Sequence, residues 1–293
     1  MGAMKPDRDD HIGTNTPANE TTLKSLSMRP LAAFPPGTRA RLVGMLTDID
    51  DTITTDGRLT AAAYGALERL QGAGIRVIPV TGRPAGWCDH IARMWPVDAV
   101  VGENGAFWMR HDAVARRLRT VFVGERLPDR QQRIDALGAQ ILAAVPGCAL
   151  ASDQFCRIAD LAIDYCEDVS PLSQSAVSAI VRHMEAAGMR AKVSSIHVNG
   201  WFGDYDKLST SRRMLAEEFG VALDQESERE RWVFAGDSPN DAPMFGYFPN
   251  SVGVANVLDF ADRLEVLPAW ITRQRSGAGF VELCEALLAA RTA

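Results

Sequence analysis

The sequence predicts an α/β protein with a parallel sheet and a separate α+β insert, on three observations. Short, almost wholly apolar runs alternate with helical stretches towards both ends of the chain, the pattern of strands buried on both faces. In the middle, strand-like segments arrive in pairs with helices between them. Polar residues able to do chemistry follow directly after several of the apolar runs. At roughly 150 residues per domain, a chain of 293 residues holds about two domains.

Taken in order, residues 1–38 read as a disordered tail. The stretch 7–27 is rich in Asn, Thr and Asp with little to bury, and Pro35-Pro36-Gly37 punctuates the chain before the first structured run. Residues 42–46 predict a buried strand. Thr60 predicts a helix cap, with Tyr64, Leu67 and Leu70 on one face and Gly72 and Gly74 ending the helix. Strands are predicted at 75–80, 97–101, 232–235 and 251–254, and a helix at 207–219. Between these lies the insert. Its paired strands are expected at 107–110 and 118–124, a helix near 129–144, strand-like segments at 148–157 and 160–166, a helix at 172–187 and a strand at 191–198.

Composition excludes some classes. Lys and Arg total 31 against 37 Asp and Glu, a formal charge of −6, so a basic sheath for nucleic acid is not expected. The five cysteines form no CxxC pair and match no zinc spacing, which reads as reduced thiols. No apolar run approaches the roughly 18 residues of a membrane span. The first 27 residues hold no apolar segment resembling a secretory signal. The expected compartment is the cytoplasm, with no membrane or nucleic-acid partner.

The most informative segment is Thr47-Asp48-Ile49-Asp50-Asp51-Thr52-Ile53. Three carboxylates in four residues after a buried strand oppose one another's ionisation unless a cation or a donor-rich pocket compensates. Asp48 and Asp50 would point to one side of an extended segment, at the carboxyl end of the sheet, where open α/β folds bind ligands. Thr81-Gly82-Arg83 follows the second strand. Gly236-Asp237-Ser238-Pro239-Asn240-Asp241 follows another, and Lys207 opens a helix. Four acids, a threonine, an arginine and a lysine at the ends of core elements make a plausible metal and phosphate site. Hard carboxylate oxygens suit Mg²⁺.

These four segments, in this order, resemble the motifs of the haloacid dehalogenase superfamily. The insert between the second and third resembles the type IIB cap of its Cof-like, sucrose-phosphatase and trehalose-phosphatase group, with Gly102-Glu103-Asn104-Gly105-Ala106 as the entry into the cap. The resemblance spans residues 40–290. It implies a Rossmann-like core, residues 39–106 and 200–293, and an inserted α+β cap, residues 107–199. It also implies Asp48 as nucleophile, Asp50 as general acid/base, and Thr81, Arg83, Lys207 and Asn240 around the phosphate. Mg²⁺ would be held by Asp48, Asp237, Asp241 and the main-chain carbonyl of Asp50. Relatives often carry Gly at the position of Asp51 and Lys-Gly at Lys207-Leu208.

The implied reaction is hydrolysis of a small phosphorylated metabolite, a sugar phosphate, through an aspartyl-phosphate. Asp50 points to a phosphoester, because a halide leaves without a proton. Asn104, Asn199 and Trp201 are candidates for the substrate, an amide or aromatic face suiting a sugar ring, and the protein would act as a monomer or homodimer. Two alternatives remain open on sequence. One is a phosphomannomutase-like sugar phosphomutase. The other is a non-catalytic protein that binds a metabolite.

Overall fold

The computed structural model describes residues 28–124 and 127–292. Most of the expected tail, residues 1–27, lies outside the described residues. Residues 28–38 differ from expectation. They form a short strand, β1 (Arg29–Pro30), a 3₁₀ turn, and the start of the helix Pro36–Arg41. The reason is apolar anchoring: Met28, Leu31 and Phe34 are buried, and Phe34 stacks on Trp270 with ring centroids 4.9 Å apart.

The remaining strands are β2 (Gly44–Thr47), β3 (Arg76–Pro79), β4 (Val100–Gly102), β5 (Phe107–Asp112), β6 (Arg117–Phe122), β7 (Ala149–Leu150), β8 (Asp160–Asp164), β9 (Arg190–Val193), β10 (His197–Trp201), β11 (Trp232–Gly236), β12 (Asn250–Gly253) and β13 (Trp270–Ile271). Six of them form one sheet in the order β1-β13-β12-β11-β2-β3, every pairing parallel. Strand residues alternate between two cores, as the period of two requires. Met45, Val77 and Val233 face the helices Ala61–Gly72 and Ser276–Thr292. Leu46, Ile78 and Phe234 face Lys207–Phe219 and Ala242–Tyr247. Helices on both faces of a parallel sheet are the arrangement that the unbroken apolar runs predict.

Registry brings the carboxyl ends together. Ala235 pairs with Thr47, and Thr47 with Pro79, so the residues that follow β11, β2 and β3 emerge side by side. Thr60 caps its helix by accepting from the N–H of Ala63.

The insert departs from expectation at both edges. β5 and β6 pair with each other as foreseen, but β5 also pairs antiparallel with β4 of the core. Trp108 and Phe107 are buried among core side chains, so 107–122 extends the core rather than the cap. The cap sheet proper is β7-β8-β10-β9, antiparallel throughout. It reaches Trp201, two residues past the expected boundary at 199. The stretch 148–157 holds only the two-residue β7 and a 3₁₀ turn, Gln154–Cys156. The strand expected at 191–198 is a hairpin, β9 and β10.

Period two also sets the two faces of the cap. Leu161, Ile163 and Val198 pack against the helices Arg130–Ala144 and Gln174–Ala186. Asp160, Asp164, His197, Asn199 and Trp201 therefore take the opposite face. Cross-strand pairing puts Lys192 beside Asn199 and Arg190 beside Trp201, on that same face. Glu103, between β4 and β5, ties the two parts together. Its carboxylate accepts from the N–H groups of Ala85 in the core and of Ile158, Ala159 and Asp160 in the cap.

Because Phe34 fills a closed site, Phe34→Ala is expected to destabilise the protein by about 3–5 kcal/mol. Urea unfolding would show a lower midpoint with an unchanged slope. A midpoint equal to the parent's would mean that residues 28–38 are not anchored.

Candidate active site

After β2 the chain does not continue extended but turns. The N–H groups of Thr52, Ile53 and Thr54 all point to the carbonyl of Ile49. Asp51 completes the turn at φ +54°, a left-handed conformation that glycine adopts freely and aspartate tolerates better than most side chains. That backbone is one in which glycine would be unstrained and aspartate is a workable occupant.

Lys207 is placed by its helix. Asp206 and Ser209 form a reciprocal cap at its start, and Thr210 Oγ1 donates to the carbonyl of Gly105 at 2.6 Å. Gly105 sits at φ +108°, and a Cβ there would lie 2.3 Å from the carbonyl oxygen of Asp206. Only glycine lets the helix dock this closely, and the docking drives the Lys207 side chain inward.

At the centre, Lys207 Nζ lies 2.7 Å from Asp48 Oδ1 and 2.9 Å from Asp241 Oδ1. Asp241 Oδ2 accepts from the N–H of Asp237 at 3.1 Å. Asp237 in turn accepts from Thr52 Oγ1 and from Asn256 Nδ2, each at 3.1 Å. Asp48, Asp237 and Asp241 are all buried, and one oxygen from each falls within 4.8 Å of the others. Burial, together with Asp241 and Asp50, pushes the Asp48 carboxyl up to about 8 despite Lys207. Burial and the neighbouring Asp48 and Asp241 push Asp237 well above the ordinary range. Against the cost of burial, Asp241 and Asp48 hold the proton on Lys207. Three buried carboxylates facing one ammonium are short of positive charge, and hard oxygen donors in that state suit a divalent cation.

Asp50 stands apart from this trio. Arg83 Nε donates to both of its oxygens, at 2.9 and 3.1 Å. The rest of the guanidinium reaches the cap, at 2.7 Å from Glu167 Oε1 and 3.4 Å from Asp153 Oδ2. Arg83, expected beside the phosphate, directs its donors here to three carboxylates, Asp50, Glu167 and Asp153. Thr81 is fully buried at the end of β3, its Oγ1 accepting from the N–H of Arg83. Asn240 Oδ1 accepts from Ser238 Oγ, and the side chain borders a cavity beside Lys207.

Of the candidate substrate residues, Asn104 and Trp201 border that cavity, of about 130 Å³, which Arg190 and Lys192 of the cap also line. Trp201 Nε1 donates to the carbonyl of Tyr205. Asn199 does not line it. Its amide donates to Asp160 Oδ2 at 2.9 Å, within a buried network that also holds Arg157 and Asp153. A second cavity, of about 230 Å³, is bordered by Asp50, Asp51, Thr54, Arg83, Cys166 and Glu167.

The sequence reading missed Asn256, Glu167, Arg190 and Lys192. Asn256 was within reach of the rule already in use, since it follows the apolar run 251–254. Glu167, Arg190 and Lys192 come from the cap, and only its register brings them here.

Residues 45–118 match the family model of the haloacid dehalogenase-like hydrolases. No curated protein matches the chain in sequence. Several solved structures share its fold. The C-terminal domain of C. albicans trehalose-6-phosphate phosphatase superposes with a TM-score of 0.67 at 12% identity, covering 90% of this chain and 98% of that one. A HAD/COF-like hydrolase from Plasmodium vivax gives 0.62 at 15% identity, covering 85% and 96%. A subclass IIB sugar phosphatase of the same superfamily gives 0.54 at 12% identity, covering 78% and 92%.

His197 Nε2 lies 2.9 Å from Glu167 Oε2, and against partial burial His197 and Arg83 lower the Glu167 carboxyl to about 2. A carboxyl lowered on folding stabilises the protein above its ordinary value and loses that contribution as pH falls towards the folded value. Glu167→Gln should therefore cost about 1–2 kcal/mol at pH 6, after allowance for its partial exposure, and far less near pH 2. Unfolding midpoints of both proteins across that range check this. Parallel curves would count against it.

Proposed function

We propose that this chain, a haloacid dehalogenase-like hydrolase by its match over residues 45–118 and by its fold, is a phosphatase of a small phosphorylated metabolite, a sugar phosphate. The observation that carries the reading is the convergence of Asp48, Asp237, Asp241 and Lys207 in one buried cluster at the carboxyl ends of β2 and β11. Neighbours described as a trehalose-6-phosphate phosphatase and a sugar phosphatase support the substrate class.

Asp48, Asp237 and Asp241 would hold Mg²⁺, with the main-chain carbonyl of Asp50. The ion would supply charge neutralisation for an anionic ester meeting an anionic nucleophile. Asp48 attacks phosphorus, and the bond from phosphorus to the ester oxygen breaks as an aspartyl-phosphate forms. Asp50 gives its proton to the departing oxygen, then takes one from the water that hydrolyses the intermediate. Lys207, already against Asp48, offers its ammonium to the phosphoryl oxygens. Asn240 borders the cavity beside Lys207, and Thr81, buried after β3, would donate its hydroxyl to the phosphoryl group.

Arg83 acts on the reaction through Asp50. Its fork across both Asp50 oxygens fixes the rotamer of the acid, and its remaining nitrogens are held by cap carboxylates. The acid is thus oriented when the cap is seated, and bulk water is excluded at the same time.

The test is release of inorganic phosphate from a panel of sugar phosphates with Mg²⁺, repeated with EDTA. Hydrolysis is expected with the metal and not with the chelator. Asp48→Asn should remove turnover with the circular-dichroism spectrum unchanged. Asp50→Asn should lower kcat by about 10²–10⁴-fold. Full activity in EDTA, or in Asp48→Asn, would overturn the reading.

A further inference from the structure

We propose that the cavity beside Lys207 binds a second anionic group on the substrate, a carboxylate or another phosphoryl group, and that Lys192 and Arg190 of the cap select for it. This rests on the phosphatase reading and narrows it to phosphorylated metabolites with a further negative charge.

The donor inventory carries the argument. The cavity brings the cap cations Arg190 and Lys192 to within one small volume of Lys207, Asn104 and Asn240, three cations against the single acid Asp206, whose Oδ1 is already held by the N–H of Ser209. Cross-strand pairing explains the placement, since Lys192 and Arg190 share the face of β9 that turns to the core together with Trp201. Asn104 Nδ2 is buried and donates to nothing among the described residues, with the residue only 2% exposed. A buried amide donor without an acceptor costs free energy that an incoming anion would recover. Lys192 has no ion pair among the described residues. Arg190 pairs with Asp204 and Asp206, but Asp204 is 90% exposed, and such surface pairs are weak enough to exchange for a bound anion.

The other cavity has the opposite character. Asp50, Asp51, Asp56 and Glu167 border it, and its one cation, Arg83, is already paired. A metabolite with two anionic ends is therefore drawn in one orientation. The scissile phosphate lies against Asp48 and Lys207, and the second charge lies under β9. Trp201, bordering the same cavity, supplies an apolar surface for the carbon chain between them.

Binding is measured by calorimetry in the Asp50→Asn protein with Mg²⁺, which keeps the three metal-facing aspartates. The probes are glucose 6-phosphate, 6-phosphogluconate and fructose 1,6-bisphosphate. At least tenfold tighter binding of 6-phosphogluconate or of the bisphosphate than of glucose 6-phosphate is expected, and whichever gains identifies the preferred anion. Adding Lys192→Gln, an exposed position that tolerates exchange, should bring the tighter ligand to within threefold of glucose 6-phosphate. Equal affinities for all three, no binding of any, or an equal weakening of all three by Lys192→Gln would overturn the proposal. Failure of the unmutated protein to release phosphate from any of them would instead sink the phosphatase reading, with the binding preference still legible.

Discussion

The ammonium of Lys207 lies between Asp48 and Asp241, and much of the molecule is arranged to put it there. Three aspartates emerge at the ends of adjacent strands because β2 and β11 are neighbours in the sheet. Each is buried, and each raises the cost of ionising the next. A buried charge without a partner is destabilising, so the cluster needs positive charge from somewhere. The protein supplies one unit through a helix whose first residue is Lys207. That helix docks on the turn at Gly105, where a side chain would collide with its backbone. The remaining deficit is what makes the site suited to a metal ion. Structure and reactivity here have the same electrostatic origin.

A second charge arrangement joins the cap to this centre. Arg83 belongs to the core and holds Asp50, yet two of its contacts are with the cap residues Glu167 and Asp153. A single guanidinium therefore links the presence of the cap to the orientation of the acid. The donors of Arg83 are directed at carboxylates of both parts of the molecule. An arginine after a strand end can be read in sequence as an anion binder, but which anion depends on what the insert brings.

Much of the core was legible in the sequence. Apolar runs followed by Asp, Thr or Gly mark strands of the parallel sheet, and Asp48, Thr81, Asp237 and Asp241 all follow such strands, β2, β3 and β11. The helix from Lys207 was legible from its apolar spacing. Residues 28–38 were not, because Met28, Leu31 and Phe34 are isolated apolar side chains whose burial depends on distant partners such as Trp270. The pairing of β5 with β4 was equally invisible, since a hairpin does not encode locally which sheet it will join. Arg190 and Lys192 read as ordinary cap residues until register places them beside Trp201. Asn199 carries the right chemistry for a sugar but is engaged by Asp160, a partner that only the cap sheet reveals.

The carboxylate of Glu103 takes N–H groups from both sides of the domain junction. Keeping four bonds to one small group fixes a point but leaves rotation about it free. Any opening that preserves them must swing the cap as a lever with its fulcrum at residues 158–160. Displacement then grows with distance from that fulcrum, so along the row Asp160, Trp201, Arg190 the edge strand β9, separated from β8 by β10, moves more than β10 does. The doorway for small molecules would accordingly lie along the edge that bears the two cap cations.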